Sequence, residues 1–400
     1  MTDAPTPVRK PRSVDLAGLG YNAAALVLAI GVAVVIGGLA LELSGHSALH
    51  AYNLMLQYAA CNKAGGSNDP CTADSVIDII NRAIPYYLSA LAVAIGFRMA
   101  LFNIGVEGQY RLAAVVVAIA GVEIHLPAVL QIPLLLLIAM VVGAVWAGIA
   151  GILKITRGVS EVISTIMLNY IAYGLIAFIL SVYVSGGGSS TNLSGSTPDL
   201  PAASRMPGMN RLLHDLGLLA PNDPDQVSGF LVVIAIIGTL FYFVVERSRF
   251  GFDLRASGLN PFAAQAGGVD SRRMIAATML ISGALAGLVG LPYLLGQAYN
   301  YSNEFPANLG FNGIAVALLG RNKPIGIAFA AVLWGFLERS AQILDLNGIP
   351  QEIYVLMQGS TVLAVVVAYE IVRRAKVRKA EREVAREVPE ALGGALEVTA

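Results

Sequence analysis

The chain has 400 residues, of which 56% are hydrophobic and only 13% are charged, and its acidic and basic side chains cancel to a formal net charge of +0. Soluble domains carry about twice this proportion of charged residues, so the composition excludes a soluble protein and predicts one that lies in a membrane.

Ten apolar stretches are long enough, or nearly long enough, to cross a bilayer, which takes about 20 residues per helix. The third and the eighth are short. The predicted spans are Tyr21–Leu43, Ala83–Leu101, Gln109–Glu123, Gln131–Leu153, Ser160–Val184, Ser228–Glu246, Met274–Gln297, Leu309–Gly320, Pro324–Ala341 and Gln351–Val372. The first resembles a signal peptide, but it is too long and lacks a clear cleavage site, so we expect it to remain as an anchor. The predicted fold class is all-α: a polytopic membrane protein with about ten transmembrane helices, some short or broken.

Lys and Arg side chains indicate which side of the membrane faces the cytoplasm, because short cytoplasmic loops are enriched in them. With ten crossings, every basic cluster falls on one side, and both termini are then cytoplasmic. The predicted regions are an N-terminal tail (1–20), a transmembrane domain (21–372), a C-terminal tail (373–400), external loops at about 44–82 and 185–227, and a basic cytoplasmic loop at about 247–273.

The two cysteines, Cys61 and Cys71, both lie in the first external loop, with Gly65, Gly66 and Pro70 between them. An oxidising compartment would allow them to close a small disulfide hairpin, whereas two free thiols in a mobile loop is the other interpretation. Neither interpretation makes these residues catalytic.

The basic loop at 247–273, which reads RSRFGFDLRASGLNPFAAQAGGVDSRR, contains the pattern of a complete miniature helix. Asn260 can cap its N-terminus, Pro261 occupies a first-turn position that tolerates a missing N–H, and Gly267 and Gly268 can end it. So short a helix does not cross a membrane. It offers a compact surface to something outside the bilayer, which suggests moving parts driven from the cytoplasm. A plain cytoplasmic loop is the alternative.

Polar side chains inside apolar stretches are costly in lipid and must face a cavity, a partner or another polar group. The densest set lies in GFRMALFNIGVEGQYR and comprises Arg98, Asn103, Glu107, Gln109 and Arg111. Gly105 and Gly108 weaken the helix there, so two half-helices are expected to meet at a break. Glu107 and Arg111 also have the spacing of a helical ion pair, which leaves a structural role open beside a solute-contacting one.

Two further polar positions are of interest. Asn169 lies roughly two turns inside the fifth span, at a depth where an amide either bridges helices or meets a solute. Phe311 and Asn312 lie at the start of the eighth span, and a span this short indicates a discontinuous helix that lines a cavity.

Five segments together carry a family resemblance, namely Phe102–Gln109, Gly158–Ala172, Gly251–Val269, Ile281–Gly290 and Gly310–Pro324. They resemble the permease subunits of bacterial ATP-binding-cassette importers for branched-chain amino acids, ribose and related sugars, and nucleosides. The resemblance covers most of the chain from Ala83 to Val372. The forms FNIGVEGQ and TIMLN look most like the nucleoside or simple-sugar branch.

The resemblance implies that the loop at 247–273 supplies a coupling helix, which rests in a groove of a separate ATPase. The residues expected to carry that coupling are Arg255, Gly258, Asn260, Pro261, Ala263 and Gly267. The path for the solute would run between two permease subunits. The candidates for lining it, or for shaping broken helices, are Asn103, Glu107, Gln109, Asn169, Phe311 and Asn312.

The same resemblance implies a function and a set of partners. We expect inward transport of nucleosides, or of simple sugars such as ribose, by alternating access in the bacterial inner or plasma membrane. The expected partners are a cytoplasmic ATP-binding subunit, a second permease that is a different but related chain, an extracytoplasmic substrate-binding protein and membrane lipid. No nucleic-acid partner is expected.

The chain is not expected to be an enzyme. It contains no phosphate-binding Gly-x-x-x-x-Gly-Lys-Ser/Thr motif and no His-Glu-x-x-His motif, and its four histidines are scattered. ATP should therefore be hydrolysed by a separate chain, and this one is expected to bind no cofactor and no metal. The main rival hypothesis is an ion-coupled secondary transporter of a small polar solute, with Glu107 or Glu161 as its coupling carboxylate. A receptor or structural protein is the third.

Overall fold

The computed structural model describes residues 31–60, 73–186, 196–210, 215, 227–349 and, with gaps, 353–378. The predictions for Cys61 and Cys71, for the N-terminal tail and for most of the external loop at 185–227 lie outside these residues. The described chain is almost entirely helical and contains no β-strand, so the all-α fold class is confirmed.

Thirteen helices are described, numbered here in chain order. They are α1 (Gly31–Leu43), α2 (Ala48–Ala60), α3 (Ala73–Arg98), α4 (Val106–Glu123), α5 (Ala128–Arg157), α6 (Glu161–Gly186), α7 (Phe230–Arg247), α8 (Arg249–Leu259), α9 (Pro261–Ala266), α10 (Ser271–Ala298), α11 (Leu309–Leu319), α12 (Pro324–Leu346) and α13 (Ile353–Val372). The chain forms two compact units, of which Leu49–Tyr354 is the larger and contains every site described below.

Six of these helices are long and apolar enough to cross a membrane, and a seventh crossing exists if α1 and the first part of α2 make one span. Three further predicted spans correspond to α4, α11 and α12. The helix α11 has only 11 residues, which is about 16 Å or half of a hydrocarbon core. The count of ten crossings therefore stays a prediction.

The second predicted span begins earlier than its apolar pattern indicates. The helix α3 starts at Ala73, whereas the span was predicted from Ala83, and α2 occupies part of the predicted loop at 44–82. The added turns of α3 contain the charged residues Asp78 and Arg82, which lower the local hydropathy. These two side chains form an ion pair at i, i+4, with 3.0 Å between Asp78 Oδ2 and Arg82 Nε, so the helix accommodates them.

The helices α5 and α10 touch backbone to backbone. A Cβ atom added to Gly287 would lie 2.0 Å from the carbonyl oxygen of Ala139, and one added to Gly283 would lie 2.3 Å from that of Gly143. Small residues at such crossings let helices in a membrane approach closely, where dispersion contacts replace the hydrophobic effect as the driving force. This crossing fixes α10, which contributes to each of the sites below.

Two groups of helix ends define the two ends of the bundle. At one end, Arg98 at the C-terminus of α3 contacts both Glu246 at the end of α7 and the connection between α11 and α12. The helices α8 and α9 belong to this basic end, which the topology predicts to be cytoplasmic. At the opposite end, Arg82 near the start of α3 contacts Glu338 in the second half of α12.

The crossing of α5 and α10 generates the first testable prediction. Replacing Gly287 by Ala should lower the free energy of unfolding by about 1–3 kcal/mol, because the methyl group forces the two backbones apart. Gly174→Ala is the matched control, since no atom lies within 4 Å of a Cβ at that position of α6. Thermal melting of the purified protein in detergent measures both. A Gly287→Ala protein that melts with the control would contradict the close crossing.

Candidate functional site

A non-helical connection joins α3 to α4 inside the bundle. The helix α3 ends at Arg98 and α4 begins at Val106, so the break covers residues 99–105 and includes Gly105 as the cap of α4, whereas Gly108 is already helical. Leu101 and Asn103 in the connection are buried. Irregular backbone at this depth in a membrane protein requires polar partners for its N–H and C=O groups.

Asn103 and Gln109 provide part of that support. The Asn103 Oδ1 atom accepts hydrogen bonds from the Gly105 backbone N–H at 3.1 Å and from Gln109 Nε2 at 3.0 Å. Its Nδ2 group donates to Gln109 Oε1 at 3.0 Å and to Ser282 Oγ in α10 at 2.8 Å. Ser282 Oγ in turn donates to the carbonyl oxygen of Ala92 in α3. Two buried amides thus tie the connection to both neighbouring helices.

Asn169 bridges α6 to the same connection. Its Oδ1 atom accepts from the Gly108 backbone N–H at 2.9 Å, and its Nδ2 group donates to the carbonyl oxygen of Ile104 at 3.0 Å. A Cβ atom at Gly108 would lie 2.8 Å from Asn169 Oδ1, so only glycine allows this approach. Of the two roles open to Asn169, the geometry supports the helix-bridging one.

Glu107 is fully buried and accepts four hydrogen bonds. Backbone N–H groups of Asn308 and Gly310 each donate to its carboxylate at 2.9 Å. The Tyr110 hydroxyl donates at 2.8 Å and Arg111 Nε at 3.1 Å. The negative charge therefore lies at the N-terminus of α11, where the helix dipole and the unpaired N–H groups favour an anion. The ion pair expected from the i, i+4 spacing is present.

Phe311 and Asn312 do not join this buried set. The inward face of α11 carries Gly310 and Gly313, and Cβ atoms there would lie 2.5 Å from the Glu107 backbone nitrogen and 1.9 Å from Ser89 Oγ. Phe311 is exposed on the outer face of the helix, and Asn312 is partly exposed. The structure thus gathers Asn103, Glu107, Gln109 and Asn169 and leaves the other two candidates apart.

The miniature helix predicted in the basic loop is present as α9. Asn260 caps it, with Oδ1 accepting from the Phe262 N–H at 3.1 Å and from the Ala263 N–H at 3.0 Å, and Pro261 occupies the first position. The helix ends at Ala266 and is followed by Gly267 and Gly268. Gly268 has a φ of 88°, the left-handed conformation that favours glycine.

Two large apolar side chains are exposed here, one on the last residue of α8 and one in the first turn of α9. Leu259 is 89% exposed and Phe262 is 84% exposed. Neither residue was a predicted site residue, although large apolar side chains within a polar, basic loop are a signal that sequence alone could have provided. These two exposed side chains therefore lie next to each other at the start of a capped helix.

The helix α8 fastens α9 to the bundle. A Cβ atom at Gly258 would lie 2.7 Å from the Arg98 carbonyl oxygen and 2.8 Å from Met99 Cα, so α8 packs directly on the end of α3. Arg255 donates from Nη1 to the carbonyl oxygen of Val245 at the end of α7. Gly258 and Arg255 therefore lie between α9 and the bundle, where a displacement of α9 would reach the long helices.

Glu246 is the centre of an ionic cluster at the same end. One carboxylate oxygen pairs with Arg98 Nη2, and the other lies 3.9 Å from Arg255 Nη1. Arg98 Nη2 also donates to the carbonyl oxygen of Asn322 at 2.9 Å. Sequence reasoning missed Glu246, because a charged residue at the end of an apolar stretch is usually interfacial. The cluster joins α8 to the ends of α3 and α7 and to the connection before α12.

The carboxylates that a secondary transporter would use are both engaged. Glu107 is held by four donors, as described above, and Glu161 Oε2 lies 2.5 Å from Lys154 Nζ while its Oε1 accepts from the Phe102 N–H at 3.4 Å. In this conformation both carboxylates are buried, and each is paired with a basic side chain, Glu107 with Arg111 and Glu161 with Lys154.

Comparison with known proteins places the chain among transport proteins. The sequence profile of the family described as "Branched-chain amino acid transport system / permease component" matches residues 75–366. The guanosine ABC transporter permease protein of Bacillus subtilis (strain 168) is 36% identical over 297 residues, which are 74% of this chain and 81% of that protein.

Two further relatives extend the comparison. The nucleoside ABC transporter permease protein NupB of Lactococcus lactis subsp. cremoris is 33% identical over 304 residues, or 75% of this chain and 81% of that protein. The glucose ABC transporter permease protein of Haloferax volcanii is 29% identical over 372 residues, or 92% of each chain. No solved structure matches the sequence.

The buried network predicts that Glu107 is needed for folding. Replacing Glu107 by Ala should lower the free energy of unfolding by about 3–5 kcal/mol, because Arg111 is left without its buried partner and two N–H groups at the start of α11 lose theirs. Glu304→Ala is the control, since Glu304 is an exposed residue just before α11. Yield and thermal melting in detergent measure the effect. A Glu107→Ala protein that melts normally but fails in transport would instead favour contact with the solute.

Proposed function

Because this chain belongs to the permease family of branched-chain amino acid ABC transport systems, we propose that it moves nucleosides, or else simple sugars, inward by alternating access. It is the membrane subunit of such an importer and not an enzyme, and the ATP is hydrolysed by a separate chain. The two most similar relatives described above are permeases for guanosine and for nucleosides. That similarity is the observation on which the proposed substrate rests.

The proposal assigns the ATPase contact to α9 and the side chains around it. Asn260 and Pro261 define the start of the helix, and Gly267 directly follows its last residue. Ala263 has a small side chain, so it adds no bulk to the exposed surface of the helix. Exposed Phe262 supplies an apolar anchor for a groove in the ATPase, since aromatic residues are frequent hot spots of interfaces. A rigid capped helix suits this role because little conformational entropy is lost on binding.

Movement of α9 would reach the membrane helices through α8 and the cluster around Glu246. Gly258 puts α8 in backbone contact with the end of α3, and Arg255 and Arg98 share the Glu246 carboxylate. Closure of the ATPase favours one of two arrangements of these helix ends, and ATP binding thereby shifts the population of inward-open and outward-open states.

The remaining partners follow from the same function. The solute is delivered by a substrate-binding protein at the end of the bundle opposite α9. A second permease, a different but related chain, completes the path.

Uptake in cells tests the function and the role of α9 together. Cells that lack this chain should lose uptake of radiolabelled guanosine, and the intact chain should restore it. The Phe262→Ala chain should restore less than about a tenth, since an aromatic hot spot contributes 2 kcal/mol or more to binding. Phe243→Ala removes an equally large exposed side chain from α7 and is the control.

Each outcome of that uptake measurement has a definite meaning. Full uptake by the Phe262→Ala chain, with the ATPase still bound, would refute the role of α9. Normal guanosine uptake but lost glucose or ribose uptake in the deletion strain would replace nucleosides by sugars as the substrate.

The ionic cluster generates a separate prediction. Glu246→Gln keeps the size of the side chain but removes the charge shared by Arg98 and Arg255, so the ends of α3 and α7 should follow a movement of α8 less closely. The expected result is normal binding of the ATPase with a several-fold fall in solute moved per ATP hydrolysed, measured in proteoliposomes. Glu370→Gln, at an exposed ion pair with Arg374, is the control. An unchanged ratio of transport to hydrolysis would show that coupling does not pass through Glu246.

A further inference from the structure

A cavity of about 600 Å³ lies at the end of the bundle opposite α9. Its walls come from the first half of α3, the end of α10 and the second half of α12. Exposed Gln297 and Gln342 stand at its rim, and buried Pro292 and Leu309 lie at its base. Ligand pockets for small molecules have volumes of about 300–1,000 Å³, so one solute of nucleoside or sugar size fits this space.

One wall of the cavity is an ionic network between α3 and α12. Arg82 donates from Nε to Asp78 at 3.0 Å and from Nη1 to Glu338 Oε1 at 3.1 Å. Arg339 Nη1 pairs with Asp78, and the Tyr86 hydroxyl donates to Glu338 Oε2 at 2.6 Å. None of these residues was a predicted site residue, because charged side chains near the end of an apolar stretch are usually interfacial and the partners on α12 lie some 260 positions away in sequence.

The charges of this wall balance, with two carboxylates against two guanidinium groups. No excess charge is therefore available to retain an ion or a singly charged solute. The groups are also partly solvated: 33% of the Glu338 side chain and 21% of the Arg82 side chain are exposed. Partly exposed ion pairs contribute little to stability, so a solute with matched hydroxyl groups can share their donors and acceptors at low cost.

The other surfaces of the cavity are less polar. Pro85 in α3 and Pro292 and Tyr293 in α10 provide flat apolar contacts, which suit the face of a base or of a sugar ring. Gln297 and Gln342 add amide donors and acceptors near the rim. Flat apolar surfaces together with a few hydrogen-bonding groups can hold an uncharged ring compound that carries hydroxyl groups.

The base of the cavity reaches the buried network of Glu107. Leu309 is the first residue of α11, whose N-terminus Glu107 holds, and its carbonyl oxygen accepts from Ser89 Oγ at 2.8 Å. The Pro306 carbonyl oxygen, also at the base, lies 2.7 Å from the Tyr110 hydroxyl oxygen, whose single proton it shares with the Glu107 carboxylate. The cavity is therefore closed below by the short helix α11, which separates it from the end that carries α9.

We propose that this cavity is a binding site for the transported solute within this chain, and that Glu338, Arg82 and Gln342 recognise a vicinal diol. The Glu338 carboxylate accepts hydrogen bonds from both hydroxyl groups, while Arg82 and Gln342 contact their oxygen atoms. Ribonucleosides and monosaccharides share this diol, and 2′-deoxynucleosides lack it. The assignment rests on the proposed function for the class of solute, and it adds where and by which group the solute is held.

Binding to the isolated chain tests the site without the ATPase. In a chain with Cys61→Ser and Cys71→Ser, Gln297→Cys places a single thiol at the rim and leaves the three proposed recognition residues in place. Its reaction with a membrane-impermeant maleimide should be slowed by guanosine or by glucose, and about tenfold less effectively by 2′-deoxyguanosine, because one charged hydrogen bond is lost. Asn347→Cys, on the exposed residue after α12, is the control and should react at one rate throughout.

The labelling outcomes separate the alternatives. Protection by guanosine alone or by glucose alone supports the site and identifies its solute. Equal protection by guanosine and 2′-deoxyguanosine overturns recognition of the diol. Protection by the substrate-binding protein without solute, and none by either solute, overturns the proposal and makes the cavity a docking surface.

Transport by the assembled importer provides the second test. At labelled guanosine well below the concentration for half-maximal uptake, Glu338→Gln should lower the initial uptake rate about tenfold, since a charged hydrogen bond contributes about 1.5–3 kcal/mol to binding. Glu123→Gln is the matched control, because Glu123 also accepts from a tyrosine hydroxyl, that of Tyr183 at 3.0 Å, but lies outside the cavity. Normal uptake by the Glu338→Gln importer would refute the site and leave the proposed function intact. Absence of uptake by the unmodified importer would refute the proposed function, while the labelling experiment still reports on the cavity.

Discussion

The carboxylate of Glu107 at the start of α11 is the interaction on which the rest of the structure depends. A helix of 11 residues crosses only part of a bilayer, and the first N–H groups of a helix have no acceptor within it, so these groups need partners from elsewhere in the protein. Glu107 accepts from two of these groups and is itself held by Arg111 and Tyr110. Removing any one of these partners leaves a polar group uncompensated in an apolar environment, so the set is retained as a unit.

The two proposed sites lie at opposite ends of one helix. α3 has 26 residues, or about 39 Å, and it carries Asp78 and Arg82 at the cavity and Arg98 at the cluster around Glu246. A movement of α9 that displaces the end of α3 would therefore also displace the wall of the cavity, because the same helix contributes to both sites. Between the two sites, α11 closes the base of the cavity, and the carboxylate of Glu107 in α4 holds the start of that helix. An alternating-access protein needs a barrier at this position.

Local patterns predicted the parts of the structure that depend on neighbouring residues. The sequence Asn260–Pro261 followed by Gly267 and Gly268 specified α9, and the spacing of Glu107 and Arg111 specified their ion pair. The partners of Glu107 on α11 were beyond such reasoning, because they lie about 200 positions later and meet it only through the fold. The cavity was missed for the same reason. Charged residues at 78 and 82 lowered the apparent hydropathy of a segment whose compensating charges are on α12.

Whether ATP or an ion gradient drives uptake is the decisive question for an ATP-coupled importer. The chain would be reconstituted in liposomes with its ATPase, its companion permease and its binding protein. Uptake of labelled guanosine would then be measured under three conditions: with ATP, with a non-hydrolysable ATP analogue, and with an imposed proton or sodium gradient. An importer of the proposed kind accumulates guanosine only with hydrolysable ATP. Accumulation driven by an ion gradient, by this chain without the ATPase, would contradict the account.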